Sequence, residues 1–390
     1  MFLQRRSLQQ LALAAINSPP KTGGSDYAIF GTRIDEKTRV GPVDWISSKG
    51  TLVVTKDHPK IVECLHSPLK PVCKLLPELS SSFTRLTGFN KVMITDYGLQ
   101  AYHLALRFAA YWGQAKKGVP FQDAVMLATP SSFIGRCFPT ESSWPLIKLI
   151  AFNNLSALEG ELWTNNNVCG LLMDTIQWGD SVEEPGPGYL AEVRRTCDKH
   201  NVLWIADETS CGLGRTGQMM AYMSQGCQPD IVILAPTLGC GLYQTGVLLT
   251  TEQVFSIADQ EFITRCLSEN SLVMSVALET MKALENESLA DNAADLGEYL
   301  REAIKFTFGP EEIPQVHGRG LLTAIRIHGG IGKAEEICNL MQERGVSVWK
   351  CSDQYVGITP PLHTDVEQIK KGVQVLASVI DSLFERHIIR

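Results

Sequence analysis

The sequence predicts an α/β fold: a mainly parallel sheet with helices on both faces, followed by a smaller α+β segment. Three observations predict it. Strand-like and helix-like patterns alternate from Lys91 to Leu249, as βαβ crossovers require, and such crossovers cover a sheet on both sides. Two short apolar runs, 202–206 and 231–234, end in polar, glycine-rich turns. Strand ends that run into such loops are where open α/β sheets bind ligands. Beyond Ser271 the pattern changes to long helices and then to a shorter mixed segment.

Local patterns justify each element in turn. Residues 43–48 (VDWISS) read as a short strand. His58-Pro59-Lys60-Ile61-Val62 opens a helix, because proline suits the first helical turn, where its missing N–H has no partner to lose. Residues 91–94 form a short apolar strand, and Gly98-Leu99-Gln100-Ala101 then starts a helix with Leu104, Phe108, Ala109 and Trp112 at helical spacing. A strand that turns at glycine into a helix aims free N–H groups and the positive dipole end at one point, a ready anion site. A helix start without a ligand is the commoner case. Strands follow at 124–128, 146–151 and 169–173, with the loop 131–136 after the first and an amphipathic helix at 189–200. Helical patterns at 271–284 and 289–306 lead to strands near 321–327 and 346–349 and to a last helix over 365–386. The organisation expected is an N-terminal arm (1–40), a segment joining the small domain (41–90), a large α/β domain (91–285) and a small C-terminal domain (286–390).

Composition narrows the function classes. With 390 residues, 44% of them apolar, the chain can bury one large or two modest cores. A net charge of −7 without dense Lys/Arg runs argues against a nucleic-acid-binding surface. Eleven scattered cysteines, an odd number with no CxxC pair, suit free buried thiols in a reducing compartment better than a disulfide framework. No window approaches the roughly 18 apolar residues of a transmembrane helix. The N-terminus differs: Arg5, Arg6 and Lys21 precede the first acidic residue, Asp26, with Phe2, Leu3, Leu11 and Leu13 among Gln and Ser. Such a start reads either as a mitochondrial presequence or as an N-terminal arm that packs on a neighbour. The first reading places the protein in the mitochondrion, the second in the cytoplasm.

The richest stretch is 202–243. It holds Asp207-Glu208 at a strand end, then Gly212-Leu213-Gly214-Arg215-Thr216-Gly217, and then Pro229-Asp230-Ile231-Val232 before a second glycine-rich turn. Together with Val43-Asp44-Trp45-Ile46-Ser47-Ser48, Gly318-Arg319-Gly320-Leu321-Leu322 and Thr359-Pro360-Pro361-Leu362, it resembles the class III aminotransferases. The likeness is strongest to the ornithine aminotransferases and runs across most of the chain. It implies a pyridoxal-phosphate-dependent transferase of fold type I, aspartate-aminotransferase-like, that forms homodimers. Under that likeness Asp207 matches the carboxylate that pairs with the pyridine nitrogen and keeps the ring an electron sink. Phe133 matches the aromatic that stacks on the cofactor ring. Gly98 and Leu99 match the phosphate-binding helix start, Ser210 a polar residue three after the aspartate, and Arg136 a substrate-side arginine.

The reacting groups do not match. The Schiff-base lysine of the family falls on Pro236, and no lysine lies between Lys199 and Lys282. Proline has no amine to form an aldimine or shuttle a proton. The arginine that grips the substrate carboxylate falls on Gly357, a partner-subunit threonine on Cys266, and Trp178 enters the glutamate-rich stretch beside the site. Lys49 is the one lysine that a displaced role could use. Structural readings stand beside these: Asp207 as a buried acid held by turn N–H groups, Phe133 as core, and Arg215 as a turn arginine bonding carbonyls or a carboxylate. The expectation is a catalytically inactive ornithine-aminotransferase-like protein, without cofactor or with pyridoxal phosphate held non-covalently at a relic site. It would serve as a homodimer or as an accessory subunit of a larger mitochondrial assembly. The alternatives are an aminotransferase acting on ornithine or another ω-amino acid, and a sensor that binds pyridoxal phosphate or an amino acid.

Overall fold

The computed structural model describes residues 43–137, 145–179, 182–328 and 332–383; the expected N-terminal arm and presequence lie outside them. The central sheet has seven strands in the order β2 (Lys91–Thr95), β10 (Gly246–Thr250), β9 (Ile231–Leu234), β8 (Leu203–Asp207), β5 (Val168–Asp174), β3 (Val125–Ala128) and β4 (Leu146–Leu149). Strands β9 to β4 pair in parallel, and β10 alone runs antiparallel to both of its neighbours. The mainly parallel sheet read from the sequence is therefore present.

Both faces of this sheet are apolar because side chains alternate along a strand. In β8, Trp204 and Ala206 enter one core while Leu203 and Ile205 enter the other. The first core is closed by α1 (Pro59–His66), α2 (Val72–Thr87), α5 (Leu155–Thr164), α6 (Tyr189–Lys199) and α9 (Ser271–Asn286). The second is closed by α3 (Gly98–Lys117) through Ala105, Phe108 and Ala109, with Val254 of α7 (Glu252–Phe255) and Ile263 of α8 (Gln260–Cys266). A separate sheet, ordered β11 (Gln315–Arg319), β12 (Leu322–Arg326), β15 (Tyr355–Ile358) and β14 (Trp349–Lys350), is antiparallel. It packs with α10 (Leu289–Thr307), α11 (Lys333–Glu343) and α12 (Val366–Leu383) around Trp45, Leu300, Ile337 and Leu376.

Two strand expectations are corrected. Only β1 (Val43–Asp44) of 43–48 is a strand, paired with β13 (Val346–Ser347). Asp44 Oδ1 accepts from the N–H groups of Ile46 and Ser47 at 2.8 and 3.0 Å, and a side-chain oxygen that captures local N–H groups favours a turn over a ladder. Ser47, Ser48 and Lys49 then follow with positive φ. The run 346–349 also splits, since Val346 pairs with β1 while Trp349 pairs with Gly357 in the other sheet.

Arg215 ties these parts together. Its side chain is fully buried in the turn after β8. Its guanidinium donates to the carbonyls of Gly50 (3.2 Å), Leu52 (2.6 Å), Leu321 (3.3 Å) and Pro360. Of the two structural readings of this arginine, the carbonyl one holds. Burial pushes the guanidinium down to about 9, which leaves it charged at neutral pH, and five fixed donors suit a site built of carbonyls. Arg215→Met strands those carbonyls, at about 1–3 kcal/mol for each unmet acceptor. Urea unfolding should show a loss of roughly 3 kcal/mol or more; a loss below 1 kcal/mol would contradict this role.

Candidate functional site

The site lies at the carboxyl ends of β8 and β9 and at the start of α3. Asp207 ends β8 opposite Ile233 of β9, and the N–H of Glu208 donates to the Ile233 carbonyl at 3.0 Å. Ala235-Pro236 follows just beyond Ile233, the residue that faces Asp207. A Cβ on Gly98 would lie 2.7 Å from the Ala235 Cβ, so only glycine lets the start of α3 approach this strand end so closely. The sequence-level candidates Gly98, Asp207 and Pro236 are thus gathered in one place. Phe133 opens the short helix α4 (Phe133–Cys137) on the same side. The backbone of Arg136 lies in α4, and its side chain lies outside the described residues. Ser210 sits half-buried in the turn after Asp207, with its carbonyl 3.6 Å from a Cβ built on Gly50.

Asp207 is 2% exposed, and its carboxylate is bonded within the chain. Oδ1 accepts from the Thr209 N–H at 3.1 Å and from the Thr209 hydroxyl at 2.7 Å. Oδ2 accepts from the Tyr102 hydroxyl at 2.5 Å. The Tyr102 ring lies 4.9 Å from the Phe133 ring, tilted by 32°. Sequence reasoning missed Tyr102. The available signal was its place one helical turn after Gly98, on the face that packs toward Asp207, and the need of a buried phenol for a partner. Burial and the neighbouring Asp207 push this phenol well above its ordinary value, so it stays a donor.

These contacts bear on pyridoxal phosphate. A ring stacked on Phe133 with its N–H on Asp207 would overlap Tyr102, which makes both contacts itself. The helix start beside Asp96 opens on a cavity of about 540 Å³, and of its lining side chains Asp96 and Glu269 are carboxylates and none is basic. A phosphate there would meet like charge. In this arrangement the residues do not fit the cofactor. Cys266 ends α8, half-buried, with its thiol raised by burial.

The position that the resemblance assigns to the substrate carboxylate is filled as well. Gly357 of β15 faces Trp349, and a Cβ on Gly357 would lie 2.5 Å from the indole Cε2 and Nε1 and 2.9 Å from the Cys351 Sγ. Trp178, in the hairpin of β6 (Gln177–Trp178) and β7 (Val182–Glu183), meets Trp349 edge to face at 5.2 Å. Its Nε1 donates to the Lys49 carbonyl at 3.2 Å. The Lys49 ammonium lies 5.5 Å from the Trp349 ring centre, in cation–π range.

Glu208, next to Asp207, is enclosed differently. It accepts from the N–H groups of Ala221 (2.9 Å) and Tyr222 (3.0 Å) and from the Thr175 hydroxyl (2.8 Å). Burial still raises its carboxyl to about 7.

Known proteins share this fold and family. The sheet order defines the type I fold of pyridoxal-phosphate-dependent aminotransferases, shared with acetylornithine aminotransferase from Elizabethkingia anophelis (TM-score 0.80, 28% identity, 88% of this chain and 90% of that one). The Plasmodium falciparum ornithine delta-aminotransferase shares the fold over 97% of this chain and 99% of its own (TM-score 0.81, 24% identity). The family model described as aminotransferase class-III matches residues 139–380. The chain is 30% identical over 361 residues to the mitochondrial ornithine aminotransferase of Drosophila melanogaster, covering 87% of this chain and 83% of that protein. The rat mitochondrial enzyme of the same name is 29% identical over 86% of this chain and 81% of its own length. The chain belongs to the class III aminotransferases.

Two predictions follow from this geometry. The folded state holds a proton on Glu208 up to about 7, whereas the unfolded side chain releases it near 4.5. The resulting stabilisation, on the order of 3 kcal/mol, is present below the lower value and is lost as pH rises through the upper one. Glu208→Gln should flatten that fall in urea unfolding between pH 4.5 and about 7. Gly357→Arg should destabilise by roughly 1–3 kcal/mol through overpacking against Trp349. Trp349→Ala in the same chain should recover part of the loss, measured as a double-mutant cycle.

Proposed function

We propose that this class III aminotransferase-fold protein no longer transaminates and acts as a structural or accessory subunit. The observation that carries the proposal is Pro236, in the turn that follows β9, in a stretch with no lysine between Lys199 and Lys282. Without an amine at that strand end the turn cannot hold a carbonyl cofactor covalently or move a proton between substrate carbons. The filled positions at Tyr102 and Gly357 support the same reading. The relic-site assignments of Gly98, Leu99, Phe133, Asp207, Ser210 and Arg136 are part of the proposal.

We place the protein in the mitochondrion, where relatives of this family at about 30% identity are named as mitochondrial enzymes, as a homodimer or within a larger assembly. Among the described residues no helix is long and apolar enough to cross a membrane. A second reading, an enzyme acting on ornithine or another ω-amino acid, is favoured by the names of those same relatives.

Incubated with pyridoxal phosphate and ornithine, the purified chain should transfer no amino group and form no borohydride-reducible adduct on a pocket lysine. Transfer from ornithine at a rate that Asp207→Ala abolishes would overturn the proposal in favour of the second reading.

A further inference from the structure

We infer that Tyr102 is a built-in occupant of the cofactor-ring seat, so that Asp207 is retained as the partner of a side chain of this protein rather than of a ligand. The inference rests on the proposed reading of Asp207 and Phe133 as the relic ring site. Three features converge on one side chain. The Tyr102 hydroxyl donates to Asp207 Oδ2 at 2.5 Å, the contact expected of a protonated pyridine nitrogen. Its six-membered ring packs at 4.9 Å, tilted by 32°, against Phe133, the aromatic expected to hold the cofactor ring. It is only 4% exposed and is carried by α3, whose start at Gly98 is locked against Ala235.

The chemistry of the two rings is close. Each is a flat aromatic six-membered ring with one donor at its edge, and each meets a carboxylate through that donor. A hydroxyl that donates to a carboxylate makes a short, charge-assisted bond. Thr209 supplies the other oxygen with its N–H and hydroxyl, at 3.1 and 2.7 Å. The Asp207 carboxylate is therefore held by donors of the chain on both oxygens, and burial brings it no requirement for a ligand. Tyr102 excludes pyridoxal phosphate from the seat. A ligand that needs Tyr102 to leave binds more weakly in proportion to the fraction of molecules in which the side chain is out.

The test titrates pyridoxal phosphate into the purified full chain, wild type and Tyr102→Gly, by calorimetry, with borohydride reduction and mass measurement to count adducts on surface lysines. Wild type should show no saturable binding that depends on Asp207. Tyr102→Gly should bind pyridoxal phosphate without a covalent adduct, more tightly than wild type by at least about tenfold, and lose that binding when Asp207→Ala is added. If Tyr102→Gly does not fold, the wild-type titration still decides. Saturable binding to wild type that Asp207→Ala abolishes overturns the inference, and its absence upholds it. Tyr102→Phe, which keeps the ring and removes the hydroxyl, should exclude pyridoxal phosphate as wild type does; binding by Tyr102→Phe equal to that of Tyr102→Gly overturns the role of the ring. The inference and the reading beneath it fail separately. Asp207-dependent binding without amino-group transfer sinks the inference alone, and amino-group transfer insensitive to Asp207→Ala sinks the inactive reading alone.

Discussion

A single buried cation holds the architecture. The Arg215 guanidinium collects carbonyls from the segment at Gly50 and Leu52, from Leu321 before β12 and from Pro360 after β15. These three segments are far apart in sequence and have no common strand. A guanidinium can join them because its donors lie in a fixed plane and it need not be neutralised by a single carboxylate. Asp44 lies near enough to offset part of the burial cost. The position of the antiparallel sheet relative to the end of β8 depends on this contact, and with it the position of Trp349 relative to the site.

The glycine-rich turn that carries Arg215 serves the same end. Gly214 and Gly217 adopt positive φ, and side chains at either would crowd Ala290 or Ala294 of α10. The turn therefore approaches α10 closely while it points the arginine inward. Function and scaffold meet in this stretch: the strand end that carries Asp207 is continuous with the turn that binds the small sheet.

Much of this was legible in the sequence. The alternation of apolar runs and helical spacing located six of the seven strands of the central sheet, all but β10, and the helices α1, α3, α6 and α9 but not α2 or α5, because period and length are local properties. Asp207 and Pro236 were legible as strand-end residues for the same reason. Tyr102 was not, because on α3 it reads as one more apolar position, and its hydroxyl finds a partner 105 residues away. In the sequence Trp349 is an ordinary strand residue; that it lies over Gly357 depends on which strand pairs with which. The strand expected at 43–48 was cut short by the Asp44 side chain, which competes for backbone N–H groups in a way that alternation does not reveal.

The indole over Gly357 also limits the routes open to this lineage. An arginine at 357 has no room while Trp349 stands there, and removal of Trp349 by itself leaves Trp178 without its edge-to-face partner. A lysine restored at 236 would meet a strand end whose aspartate is already bonded to Tyr102. On the proposed reading, each step back toward amino-group chemistry is unfavourable or without effect until the others have been taken. Packing alone would then make such a loss hard to reverse by single substitutions.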